Sequence, residues 1–187
     1  SFNNQTTGVV NINSGTLDVT GALTQSGLIE VAAGATFSKA GGFSNSITGT
    51  LAGAGTISVG IGNSLGNNGT ISPGMTGGDA TGTLSIIGNL SMNASSILNI
   101  DINSPLAGDY DVLQLNPGMA GNLAGTLNLS GVAPAGSYSI FSSTGGMFGT
   151  FATVNSGTFT QTPTYDTGNQ LVTLTVTANT NVATAYW

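Results

Sequence analysis

The chain has 187 residues, 30 of them Gly, with no Cys or His and only 4% charged residues: seven acids against a single base, Lys39, for a formal net charge of −6. Nucleic-acid binding needs several Lys or Arg to displace phosphate counterions, and attachment to an anionic membrane needs a basic patch, so this composition excludes both. Gly this abundant without a three-residue period, set among regularly spaced aliphatic residues, points to a turn-rich repeat rather than to disorder.

From the N-terminus, one word recurs: "FNNQTTGVV" from Phe2, "LTQSGLIEV" from Leu23, "FSNSITGTL" from Phe43 and "LGNNGTISP" from Leu65, at steps of 21, 20 and 22 residues. A second word lies between them: "GTLDV" from Gly15, "ATFSK" from Ala35 and "GTISV" from Gly55, each 20 residues apart. Each word is short, alternating and bounded by Gly or Asn, which predicts strands and turns; no helical stripe survives. A period near 20 with two or three strands predicts a solenoid coil, stacked on its neighbour at about 4.8 Å. Leu17, Phe37 and Ile57 then form one inward column, and Val31, Leu51 and Ile71 a second. Asn4, Gln25, Asn45 and Asn67 fall at equivalent corners, where their amides are expected to form a ladder and Gly to supply positive φ.

From residue 76 the repeat loosens and the predicted strands lengthen: "GTLSIIGNLSMN", "SSILNIDIN", "YDVLQL" and "AGTLNLSG". The expected division is coils over 1–137, clearest over 2–75, then an aromatic-rich β cap over 138–177 carrying Phe141, Phe148, Phe151, Phe159 and Tyr165. The cap is expected to end in a hairpin turning at Asp166-Thr167-Gly168-Asn169. A polar tail over 178–187 closes on Tyr186 and Trp187, read as a linker or as an aromatic anchor for self-association. The fold class is all-β, a parallel β-helix with a C-terminal β-rich cap. No run is apolar for the roughly 18 residues of a membrane span. The chain opens at Ser1 without a signal peptide and is expected to be processed or part of something longer.

Few residues could carry chemistry. Polysaccharide cleavage on such a scaffold wants clustered carboxylates or a metal, with Arg, Lys or His to hold the sugar and move protons. Arg and His are absent, and Lys39 falls in a Val19/Lys39/Val59 column. Asp101, Asp109 and Asp111 lie near one another in sequence and leave glycoside hydrolysis formally open. Asp109 and Asp111 are also weak calcium candidates, being hard oxygen ligands beside a Gly-rich turn, although solvated turn carboxylates are the plainer reading. Thr16, Thr36 and Thr56, with Asp18, Ser38 and Ser58, form an outward Thr/Ser column that an ice-binding surface would use. The expectation is a chain with no catalysis and no cofactor.

The series "GTLAGAGTISVG", "LGNNGTISPG", "GTLSIIGNLSMNASSILNIDI", "GDYDVLQL" and "LAGTLNL" resembles the exported repeat domains of large bacterial surface proteins, namely autotransporter passengers and filamentous-haemagglutinin-like proteins. The resemblance runs from about Phe2 to Val176, and it implies a right-handed parallel β-helix displayed outside the cell. The expected role is therefore a structural or adhesive module on the bacterial surface, a rigid rod self-associating into a filament or matrix. The expected partners are copies of itself, adjacent modules of a longer chain, or host and matrix glycans. A carbohydrate-binding or carbohydrate-cleaving β-helix is the alternative.

Overall fold

A computed structural model describes residues 1–74, 81–132, 134–156 and 163–176. Three sheets run side by side along it, two of seven strands and one of eight. Within each sheet, parallel neighbours are every third strand in sequence, so the chain visits the three sheets in turn and returns one rung higher. The first coil comprises Phe2–Asn4, Val9–Ile12 and Thr16–Asp18; the second comprises Leu23–Gln25, Leu28–Val31 and Thr36–Ser38. This is a parallel β-helix.

Several of the recurring words share a Gly-Thr-aliphatic triplet, or the related Ala-Thr-Phe of residues 35–37, and it explains itself locally. In Thr36–Ser38 and Thr56–Ser58 the central Phe37 and Ile57 are fully buried while the flanking Thr and Ser stay partly exposed, as period-two alternation requires. The same word serves two sheets: Gly49-Thr50-Leu51 and Gly69-Thr70-Ile71 enter the second, Gly15-Thr16-Leu17 and Gly55-Thr56-Ile57 the third.

Register places Leu17 on Phe37 and Phe37 on Ile57, and the column continues to Ile86 and Leu115. Val31 is a correction. It stacks on Gly53, whereas Leu51 stacks on Ile29 below and Ile71 above. A uniform step of 20 fails here because the corner between Asn45 and Gly49 holds two more residues than the corner between Gln25 and Gly27. The next corner gives those two residues back, so the third sheet returns to a step of 20. A shift of two preserves the facing of every side chain, and Val31 remains fully buried.

Later coils are longer. Leu65, Leu90, Gly121 and Met147 are successive partners in the first sheet, at steps of 25, 31 and 26 residues. Strands lengthen as well, as in Ile97–Ile102 and Thr126–Gly131. The core stays continuous by local complementarity: a Cβ on Gly121 would lie 2.5 Å from the Phe141 ring, so Gly121 leaves the space that this ring fills. At the other end Phe37 meets Phe43 edge to face, with ring centroids 5.7 Å apart.

The boundary at 137/138 also needs correction, because it falls inside the strand Gly136–Ser142. Met147–Gly149 and Thr153–Asn155 still pair in parallel with the coil below, so coils continue to Asn155. What differs is the end of the third sheet. There Leu171–Val176 pairs antiparallel with Gly136–Ser142, and Pro163–Asp166 pairs antiparallel with Leu171–Val176. Phe159 and the whole 178–187 segment, including Tyr186 and Trp187, lie outside the described residues.

Candidate functional site

The interior corner between the first and second sheets is polar in the first four coils. Asn4, Gln25, Asn45 and Asn67 share one register column, each at most 4% exposed. Asn4 Nδ2 donates to Gln25 Oε1 at 2.8 Å, and Asn45 Nδ2 donates to Asn67 Oδ1 at 2.7 Å. The amides also bind corner carbonyls: Gln25 to Gly27 at 2.7 Å, Asn45 to Gly49 at 3.0 Å and Asn67 to Gly69 at 2.9 Å. The arrangement is two pairs rather than one unbroken ladder. The longer Gln25 turns its Nε2 back to its own corner, and Asn45 Oδ1 is without a hydrogen-bond partner among the described residues.

Glycine serves these corners through space, not through φ. A Cβ on Gly69 would lie 2.2 Å from the carbonyl oxygens of Gly49 and Ser46, and one on Gly27 would lie 2.3 Å from those of Gln5 and Gly8. Positive φ is used at other turns, such as Gly15 and Gly34 ahead of the third sheet. In the fifth coil this corner changes character. Met92 takes the amide position and Ser96 the glycine position, with Ser96 Oγ donating to Asn67 O at 2.6 Å.

The outer side of the same corner alternates in length. Three residues protrude at 5–7, 46–48 and 93–95, while single residues, Ser26 and Asn68, fill the coils between. The protruding segments fold back on the recesses: Thr48 Oγ1 donates to Ser26 O at 2.9 Å and Ser95 Oγ to Asn68 O at 2.9 Å. An open groove of about 470 Å³ results, and Ile47, 71% exposed, stands in it.

The three aspartates do not converge. Asp111 points inward with Leu113 and Leu115 and is 1% exposed; its Oδ1 accepts from the Gly82 amide at 2.8 Å and its Oδ2 from the Asp101 amide at 3.0 Å. Burial pushes its pKa up to about 7, against the pull of those two amides, and the nearby Asp101 charge adds to the rise. Asp109 is exposed and accepts from Ser104 Oγ at 2.5 Å, while Asp101 accepts from Ser130 Oγ. The calcium pairing of Asp109 with Asp111 is thus corrected: one carboxylate faces the turn, the other is consumed inside as a staple between coils. Among the described residues no group of three or more acidic, His or Cys side chains is placed to hold a metal.

Thr16, Thr36 and Thr56 are partners on the outer face of the third sheet, and the column then passes to Ser85 and Gln114. Asp18 Oδ1 accepts from Ser38 Oγ at 2.8 Å beside them. Lys39 is half-buried and donates to Ala40 O at 2.8 Å. A ladder on the outer second sheet escapes the repeat: Asn128 Nδ2 donates to Asn99 Oδ1 at 3.0 Å, and Asn155 Nδ2 to Asn128 Oδ1 at 2.9 Å. Its spacings of 29 and 27 residues hide it from a search at 20.

The two ends of the stack differ. Among the described residues, the strands of the first coil are edge strands in all three sheets, and the inward-facing Phe2, Val10 and Leu17 are only partly buried. The equivalents of Val10 and Leu17 one coil on, Ile29 and Phe37, are fully buried, whereas Leu23, the equivalent of Phe2, is itself partly buried. At the far end the hairpin covers the third sheet. Tyr165 ties it down by accepting the Phe151 amide at 3.0 Å, and Asp166 Oδ1 organises its turn by accepting from Gly168 and Asn169. No protein-family model matches the chain, and no curated protein matches it.

Proposed function

We propose that this chain is a non-catalytic structural and adhesive module of the bacterial cell surface, a β-helical rod that associates through its N-terminal end. The finer kinship proposed is with autotransporter passengers and filamentous-haemagglutinin-like proteins, on the motifs quoted above. One observation carries the reading: among the described residues, the first coil offers three unpaired strand edges around an apolar interior that is only partly covered at Val10 and Leu17. Such an edge templates further strands, and strand edges of this kind are commonly blunted by charge, Pro or a cover. Asp18 is the one charged side chain on these strands. A copy of the chain and an adjacent module of a longer chain would meet the same three edges.

Sedimentation velocity and negative-stain electron microscopy of the 187-residue chain test this. Concentration-dependent assembly is expected, abolished when Pro replaces Asn11 and Thr16, whose N–H groups face away from the second coil on two of the edges, since Pro blocks strand addition. A monodisperse monomer at every concentration overturns the self-association.

A further inference from the structure

We propose that the outer corner between the first and second sheets binds a neutral oligosaccharide, lying along the rod over the recesses at Ser26 and Asn68. This rests on the adhesive reading above and names its ligand class and its site.

The site is built by the alternation of corner lengths. Protrusions at 46–48 and 93–95 are two coils apart, about 10 Å at the rung spacing of a sheet, and comparable with two sugar rings in an extended chain. Between them the lining carries no ionisable side chain, only hydroxyls, amides and aliphatic carbon. A neutral wall on a chain of net charge −6 favours an uncharged ligand over an acidic one.

The polar groups are held before any ligand arrives. Ser46 Oγ donates to Ser26 Oγ at 3.0 Å, Asn68 Nδ2 to Ser44 Oγ at 3.1 Å, and Asn93 Nδ2 to Asn68 Oδ1 at 2.7 Å. Each hydroxyl that accepts one of these bonds keeps its own O–H for a ligand oxygen. Fixing them in advance lowers the ordering cost of binding. Ile47 gives the complementary surface: its exposed side chain matches the C–H face of a sugar ring, as its neighbours match the hydroxyl rim.

The experiment titrates the whole chain, amide-labelled for NMR, with cello-, malto-, manno- and chito-oligosaccharides and with oligogalacturonate as the acidic control. Shift changes confined to residues 24–26, 44–48, 68 and 93–95 are expected for at least one neutral series and none for the acidic one. Ile47→Asp is expected to weaken that binding about tenfold or more. Ile61→Asp, changing an 80%-exposed residue at a different corner, leaves it unchanged. Neither side chain is part of the core, so both variants keep the wild-type spectrum elsewhere. Absence of shifts with every neutral series, preference for the acidic sugar, or equal effects of the two variants overturns the proposal. Light scattering on the same samples separates the two readings. Assembly without sugar binding removes this inference alone, and sugar binding by a strict monomer removes the self-associating rod alone.

Discussion

The first four coils and the three that follow solve one packing problem in two ways. In the first four, strands of three to five residues meet at a buried corner of Asn and Gln, and Gly passes under the carbonyls of the coil below. In the later coils, strands of the second and third sheets reach six and seven residues while those of the first stay at three or four, and the same corner becomes Met92 and Leu123, with Ser96 and Gly125 in the glycine column. Short strands have few ladder bonds with which to hold their register, and a buried amide that bonds only at one height adds the missing specificity. Longer strands fix register through their own pairing, which frees the corner for apolar packing. A polar corner thus accompanies a short, regular period, and an apolar one accompanies long and variable coils.

Three changes would sharpen or break this comparison. The largest effect is expected from Gly69→Val. Its side chain would be driven into the Gly49 and Ser46 carbonyls, costing roughly 4 kcal/mol or more in urea denaturation, while Ser96→Gly in the same column costs about 1 kcal/mol. Equal costs would mean that the two regions do not differ at this corner.

Next comes Asn45→Leu, which takes the donor from Asn67 Oδ1 in a buried corner and leaves the Gly49 carbonyl with the Thr70 amide alone. A loss of about 2–3 kcal/mol is expected by the same assay. If the variant is as stable as the parent, the amide column is filler rather than a register device.

The third test needs no substitution in the corner: a pH dependence from Asp111, which belongs to the later coils. Its folded pKa of about 7 lies above the ordinary carboxylate value of 3.8, so between those values the folded state holds a proton that the unfolded chain has released. The Asp111 contribution is therefore fully present below about pH 4, declines as pH rises, and is lost above about pH 7. Subtracting the stability profile of Asp111→Asn from that of the parent isolates it. A difference that is flat from pH 4 to pH 8, or that rises with pH, contradicts the assignment.

Much of the fold could be read along the chain because each repeat carried the whole message of one coil. Leu17, Phe37 and Ile57 sit at equal spacing, each with Thr before it and Asp or Ser after it, and register in the third sheet follows that spacing. Val31 shows where reading stops. Corner lengths alternate, and a constant step slides one strand by two residues without disturbing the pattern of inward and outward faces. The outer Asn99, Asn128 and Asn155 were hidden by the same irregularity, since coil length had already drifted. Asp111 was visible as a residue but not as a buried one, because nothing local announces that two amides from distant strands will meet its carboxylate.

The sequence by itself determined the class of fold and the inward column of Leu17, Phe37 and Ile57 in the early coils. These depend on composition and on periodicities shorter than one coil, which the chain carries locally. Tertiary structure alone decided how far the coils extend, which corners protrude, where the antiparallel hairpin ends the third sheet, and which aspartate is interior. Those outcomes depend on residues 20 to 31 positions apart being pressed together at rung distance, where one extra corner residue or one missing side chain changes what its neighbour can touch.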